Sequence, residues 1–88
     1  MNEKQIETQV REVVAATLGV RVDEVAANAS YDALELDSLD RVDVLLQVEE
    51  HFGIRASGVE EELRIKSVGG LIEFAKQKLG EKTVIPTT

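Results

Sequence analysis

Ile6, Val10, Val13, Val14 and Leu18 recur at steps of four, three, one and four, with Glu, Gln, Arg and Thr between them. That spacing keeps the apolar side chains on one face and predicts an amphipathic helix over residues 3–18, stopped by Gly19. From Val20 to Leu36 the pattern weakens into a long connection, "VRVDEVAANASYDALEL", whose Val22, Val25, Tyr31, Leu34 and Leu36 are apolar enough to pack on a core. A connection of that length is expected to be functional or to contain short helices of its own. Apolar periodicity then predicts a second helix over Ser38–Phe52, ended by Gly53, and a short third over Val59–Arg64. A fourth, over Val68–Leu79, uses Leu71, Ile72, Ala75 and Leu79. No useful period-2 alternation occurs. The expected fold is therefore all-α: a four-helix bundle with three main helices, one short third helix and a long loop between helices 1 and 2. Residues 1–80 would form the domain, and "EKTVIPTT", with the only Pro, a flexible tail at 81–88.

Composition narrows what such a bundle can do. Eighty-eight residues make one domain, and 43% hydrophobic with 31% charged residues suits a globular protein. No apolar run approaches the roughly 20 residues of a membrane span, and "MNEKQIETQV" lacks the features of a signal peptide, so a cytoplasmic monomer away from membranes is expected. There is no Cys, which excludes disulfides, thiolate chemistry and cysteine-based zinc sites. Seventeen acidic against ten basic residues give a net charge of -7. Phosphates would be repelled over most of such a surface, so nucleic acid is not an expected ligand and a basic protein surface is the better partner.

The four serines separate by local rules. Ser57 stands three residues before Glu60, the spacing of a capping box at the third helix; Ser67 directly precedes the fourth helix as a cap; Ser30 lies among turn residues. Ser38, in "ELDSLDRVDVLL", differs because Asp37 already caps helix 2 and Asp40 completes an acidic box while meeting the positive end of the helix dipole. Three readings of Ser38 compete: an incidental first-turn serine, a nucleophile, or a point of attachment. Catalysis would need a base, and the only histidine, His51, lies 13 residues along the same helix, roughly 20 Å away at 1.5 Å per residue. His51 itself fits a surface residue near a helix C-terminus. Asp37, Asp40 and Asp43 lack the Gly and terminal Glu of a calcium loop, so no metal site is expected. The chain is expected to be no enzyme.

Around helix 2, Asp40, Asp43, Gln47 and Glu50 fall on one polar stripe. Like charges at these spacings cost an isolated helix a few tenths of a kcal/mol per pair, so a positive partner outside the chain is a natural reason for them. Leu39 and Leu46 border the stripe, the arrangement a basic, partly apolar groove would grip. A plain solvated face is the competing reading.

The stretch "YDALELDSLDRVDVLLQVEEHFGI", the four-helix pattern and the last-helix segment "SVGGLIEFAKQKL" resemble the acyl carrier protein family, whose signature is Asp-Ser-Leu opening the second helix. The resemblance spans about residues 5–80. It implies that Ser38, flanked by Asp37 and Leu39, accepts 4'-phosphopantetheine from coenzyme A through a phosphopantetheinyl transferase. The arm's thiol would then carry acyl chains as thioesters for fatty acid, lipid or polyketide biosynthesis. Asp37, Leu39, Asp40, Asp43, Leu46 and Glu50 would meet basic patches on the transferase and on acyl-handling enzymes, and Val42, Leu45, Leu46 and Phe52 would wall an acyl pocket between parting helices. Three positions depart from the family pattern. Glu35 stands where members usually have Gly, Arg41 adds a positive charge where many are neutral, and Tyr31 takes a position that is often Phe. A specialised carrier is as consistent with these as the general carrier of fatty acid synthesis. Two alternatives stay open: an aminoacyl or peptidyl carrier, and a helical interaction module that is never modified.

Overall fold

The computed structural model describes residues 2–83. It contains α1 (Glu3–Leu18), a 3₁₀ turn (Val22–Glu24), α2 (Ser38–Phe52), α3 (Val59–Arg64) and α4 (Val68–Thr83). Local chemistry accounts for the boundaries. Asn2 caps α1 through the Gln5 N–H at 2.8 Å, and the Gln5 side chain returns to the Asn2 N–H at 2.9 Å, a box the hydrophobic pattern did not reveal. Gly19 and Gly53 end α1 and α2 at φ 70° and 67°, a left-handed turn that glycine makes without a Cβ penalty. α1 packs on both α2 and α4, and α2 also meets α4. Ile6, Val10 and Val14 of α1, Val44, Val48 and Phe52 of α2, and Val68, Leu71 and Ala75 of α4 are buried together in the resulting core. Each such side chain contributes about 1.5–3 kcal/mol on full burial, and this is what holds the three long helices together.

The long connection is fastened at both ends. Arg11 reaches out of α1 to donate from Nε to the Val25 carbonyl at 2.7 Å and from a terminal nitrogen to the Val22 carbonyl at 3.2 Å. Val25, Tyr31 and Leu36 turn inward and are buried, and Leu34 is partly so. Val22 does not follow them: it is 41% exposed, against the expectation that it packs on the core. It belongs to the 3₁₀ turn, whereas Val25 leaves helical geometry at the cap, φ -111° and ψ 91°, and is thereby redirected inward. Further on, the chain runs antiparallel to the entry of α4. The Tyr31 N–H donates to the Lys66 carbonyl at 2.9 Å and the Val68 N–H to the Ala29 carbonyl at 2.8 Å, on either side of an isolated bridge between Ser30 and Ser67. Gly69 permits this approach, because a Cβ there would lie 3.3 Å from the Ala27 carbonyl oxygen.

Two sequence expectations are corrected at α3 and α4. Ser57 is not the cap of α3; Gly58 occupies that position without a side-chain bond. The Ser57 N–H instead donates to Glu61 Oε1 at 2.7 Å, and its hydroxyl accepts from Lys78 Nζ at 2.8 Å, a partner on another helix that a local rule cannot reach. α4 continues four residues beyond Leu79, through Gly80 to Thr83. The four residues after Leu79, Gly-Glu-Lys-Thr, include no large apolar side chain, so the periodicity stops there although the helix goes on. Residues 84–88 of the expected tail lie outside the described residues.

The turn that delivers the chain to α2 is built on an unusual residue. The Leu36 N–H donates to the Tyr31 carbonyl and the Glu35 N–H to the Asp32 carbonyl, both at 3.0 Å. This is the bond pair of a Schellman turn, with buried Tyr31 and Leu36 as its apolar contact. Glu35 sits at its left-handed position with φ 57°, the only non-glycine residue with positive φ among those described. A side chain there costs about 1–2 kcal/mol, partly offset because glycine is the more disordered in the unfolded chain. Glu35→Gly is therefore expected to raise stability by up to about 1 kcal/mol in urea unfolding, and Glu35→Val to lower it by about 1–2 kcal/mol. A destabilised glycine variant would contradict this account of the turn.

Candidate functional site

Ser38 is the first residue of α2 and is exposed. Capping is done by its neighbours: Asp37 Oδ1 accepts from the Asp40 N–H at 2.8 Å, and Asp40 Oδ2 accepts from the Asp37 N–H at 3.4 Å. The first bond of the helical ladder runs from the Arg41 N–H to the Asp37 carbonyl at 3.1 Å, so the N–H groups of Ser38 and Leu39 precede it. The Ser38 hydroxyl makes no hydrogen bond among the described residues. Its helix position leaves it with no structural task.

Around α2, the side chains fall into three adjoining zones. Val44, Leu45, Val48 and Phe52 are buried. Next comes an exposed apolar ridge of Val42, Leu46 and Leu39, at 55%, 48% and 75% exposure. Beyond the ridge stand Asp43, Gln47 and Glu50, all exposed, with half-buried Asp40. Asp43 and Glu50 form no ion pair among the described residues. The acidic stripe is bordered by the leucines on one side and by α1, at Val13 and Thr17, on the other.

On the other side of the ridge a pocket of about 340 Å³ opens between α2 and α3. Ser38, Val42, Leu45 and Leu46 line it from α2, with Leu63 and Ile65 opposite and Tyr31 from the long loop. Charged side chains of Arg41, Glu49, Glu62 and Lys66 complete the wall. At the lower end of the roughly 300–1,000 Å³ typical of ligand pockets, it suits one short apolar chain. Phe52, expected in the pocket wall, is buried and does not line it. It lies nearly four turns along α2 from Ser38, deep against the helices.

Sequence reasoning did not place Tyr31, Arg41, Glu49 or any of the wall residues from 62 to 66 at this pocket, and two of them bear on its chemistry. Arg41 donates from Nε to the Leu36 carbonyl at 3.1 Å and from a terminal nitrogen to Asp32 Oδ1 at 2.9 Å, while its guanidinium stands 5.5 Å from the centre of the Tyr31 ring. The positive charge in the motif thus binds the preceding turn to the first turn of α2. Tyr31 is 2% exposed, and its hydroxyl has no hydrogen-bond partner among the described residues. Burial pushes its phenol well above the ordinary value of 10.0, with Arg41 opposing the shift. The available signal was the Tyr itself, since an aromatic hydroxyl in a buried apolar position demands a partner.

α3 contributes no buried residue to the core. Its moorings are polar: Glu61 Oε1 meets Lys78 Nζ at 3.0 Å, and Glu49 accepts from the Ala56 N–H at 2.7 Å just before the helix. The pocket therefore has one wall packed into the core and one, α3, held mainly by hydrogen bonds and flanked by Ala56 and Ile65, which rest against the core at its two ends; the second shifts at the smaller cost. His51 lies outside this site; its Nε2 is 2.8 Å from Gln9 Oε1. Among the described residues no group of His, Asp and Glu is placed to hold a metal ion, and no helix is long and apolar enough to cross a membrane.

Comparisons with known proteins converge on this arrangement. A family model described as "Phosphopantetheine attachment site" matches residues 8–75. The chain is 34% identical over 80 residues to an acyl carrier protein of Thermosynechococcus vestitus, covering 90% of this chain and 98% of that one. It is 33% identical over 81 residues to one of Akkermansia muciniphila, covering 91% and 100%. The crystal structure of an acyl carrier protein from Thermotoga maritima superposes with a TM-score of 0.77 at 27% identity, covering 93% of this chain and 95% of that one.

The mooring of α3 gives a pH expectation. The Ser57 N–H, and after it Lys78, hold the Glu61 carboxyl below its ordinary value of 4.5. A depressed folded-state pKa adds stability that is complete above the unfolded value and is lost as pH falls through the folded one. As pH falls below the ordinary 4.5, amide protection across 57–64, taken relative to the intrinsic exchange rate at each pH, should therefore be lost before that of α1. Glu61→Gln should show fast exchange there already at neutral pH, and equal protection in variant and parent would refute the mooring.

Proposed function

The chain belongs to the acyl carrier protein family, and on that premise we propose that it holds acyl intermediates as thioesters on a 4'-phosphopantetheine arm attached to Ser38. It presents them to partner enzymes of fatty acid, lipid or polyketide biosynthesis. The carrying observation is the state of Ser38: exposed, first in its helix, relieved of capping by Asp37, and at the edge of an apolar pocket.

The residues present fit such a group. A phosphodiester on Ser38 lies at the N-terminus of α2, where the Ser38 and Leu39 N–H groups and the positive end of the dipole favour an anion by about 0.3–1 kcal/mol. Asp37 and Asp40 oppose it by their charge, but both carboxylates are engaged in the cap. In the loading step the Ser38 oxygen bonds to phosphorus and its proton passes to the transferase. The phosphoanhydride bond of coenzyme A breaks, and the adenosine bisphosphate half leaves. When bound, the arm supplies the thiol that this cysteine-free chain lacks. The chain's own contribution is to anchor, to present and to shelter; it carries no catalytic group for the acyl chemistry.

Partner recognition falls to the ridge and the stripe. Leu39 and Leu46 offer apolar contact beside Asp40, Asp43 and Glu50, and a basic enzyme surface would meet both at once. Val42 and Leu45 lead from Ser38 into the pocket, where a short acyl chain would be shielded. The domain that does this is residues 1–80, of which α4 supplies the last helix.

Incubation with a phosphopantetheinyl transferase and coenzyme A should add one phosphopantetheinyl group by intact mass, and Ser38→Ala should add none. A gain that survives Ser38→Ala would refute attachment at this residue. Joint Asp43→Lys and Glu50→Lys substitution should slow modification by about tenfold at low salt, with helicity by circular dichroism unchanged. Unchanged kinetics would mean that the stripe is merely solvated.

A further inference from the structure

Tyr31 lines a pocket whose apolar side chains are Val42, Leu45, Leu46, Leu63 and Ile65 and whose charged ones are Arg41, Glu49, Glu62 and Lys66, and its hydroxyl is buried without a partner among the described residues. Leaving such a group unpaired is unfavourable, and most buried hydroxyls have a partner. Its position explains why a ligand could supply the pair. Tyr31 lies where the long loop meets the segment after α3, with its backbone N–H bonded to the Lys66 carbonyl. Facing it across the pocket are Val42, Leu45 and Leu46 from the mouth at Ser38. These side chains offer no hydrogen-bonding group of their own. The hydroxyl is shut off from solvent, so a chain in the pocket can reach it only if the pocket widens. α3, which buries nothing and is moored through Glu61 and Lys78, is the wall able to give way. An apolar chain entering there would leave the hydroxyl still unpaired. A chain carrying an oxygen would not.

We infer that Tyr31 is a specificity-determining residue, whose hydroxyl pairs with a hydroxyl or keto oxygen on the acyl chain and makes this pocket hold oxygenated chains better than saturated ones of equal length. The inference rests on the carrier reading above and names its cargo class. Arg41 supports it by fixing the ring, since its guanidinium packs over the Tyr31 face while its hydrogen bonds secure the turn on which Tyr31 stands. The phenol keeps its proton at any physiological pH because burial disfavours the phenolate, so it can both donate to a keto oxygen and accept from a hydroxyl.

The test compares the protein loaded with octanoyl, β-hydroxyoctanoyl and β-ketooctanoyl phosphopantetheine, in parent and Tyr31→Phe forms. The readout is cleavage of the thioester by hydroxylamine, normalised to the same acyl group on free pantetheine. In the parent, the oxygenated chains should be protected about twofold to tenfold better than octanoyl, the factor one net hydrogen bond confers. Tyr31→Phe, which keeps the ring and removes only the unpaired hydroxyl, should fold as stably as the parent, leave octanoyl unchanged and abolish the difference. Persistence of the difference in Tyr31→Phe would overturn the inference. So would an equal change in all three chains, because the hydroxyl would then be meeting the thioester carbonyl or the arm, which all share. Normal loading with no protection of any chain would overturn it while leaving the carrier reading intact. Failure of the parent to load at all would overturn both.

Discussion

Two backbone hydrogen bonds, from Tyr31 N–H to the Lys66 carbonyl and from Val68 N–H to the Ala29 carbonyl, decide where the long loop lies against the entry of α4. Everything at the N-terminus of α2 follows from that register. It sets Tyr31 into the core, and the Schellman turn from Tyr31 to Leu36 then reverses the chain so that Asp37 arrives in extended geometry at the start of α2. Without the anchorage, a connection of this length would leave Ser38 at the end of a wandering tether. The three long helices alone would still form a core, but nothing would tie Ser38 to the pocket mouth.

The same region holds most of what stability alone would not select. Glu35 takes a backbone conformation suited to glycine, the Tyr31 hydroxyl is buried unpaired, and Asp40, Asp43 and Glu50 crowd one side of a helix. Leu39, Val42 and Leu46 remain in water although the core could have used them. Such features lie along the exposed side of α2 and in the turn before it, while α1 and the α1–α4 contact are conventionally packed. A stable scaffold on one side thus carries a face shaped for contact on the other.

The division between the two walls of the pocket has a dynamic consequence. α2 is fixed by Val44, Val48 and Phe52 against α1 and α4, so Ser38 and the acidic stripe keep their geometry whatever the pocket contains. α3 is held by Glu61, Lys78, Ser57 and the Glu49–Ala56 bond, with Ala56 and Ile65 resting on the core at its two ends, and it contributes no buried side chain of its own. Any widening of the pocket therefore falls on α3 and leaves the start of α2 in place.

Much of this could be read from the chain alone, because the governing rules act over three or four residues. Apolar spacing bounded α1, α2 and α3 as the structure has them, Gly19 and Gly53 ended their helices, and Asp37 with Asp40 freed Ser38 from capping, all by i to i+3 or i+4 geometry. Where exposed turns lose their pattern, as at the end of α4, the boundary was legible only approximately. The pairing of Ser57 with Lys78, the bonds of Arg41 to Leu36 and Asp32, the outward side of Val22 and the isolation of the Tyr31 hydroxyl were beyond it. Each depends on how segments far apart in sequence, or turns of irregular geometry, come to rest against one another. The sequence by itself determined which residues are helical and which serine is spare; only the tertiary structure decided which groups surround that serine, since burial and cross-segment distance exist only once the loop has docked on α4.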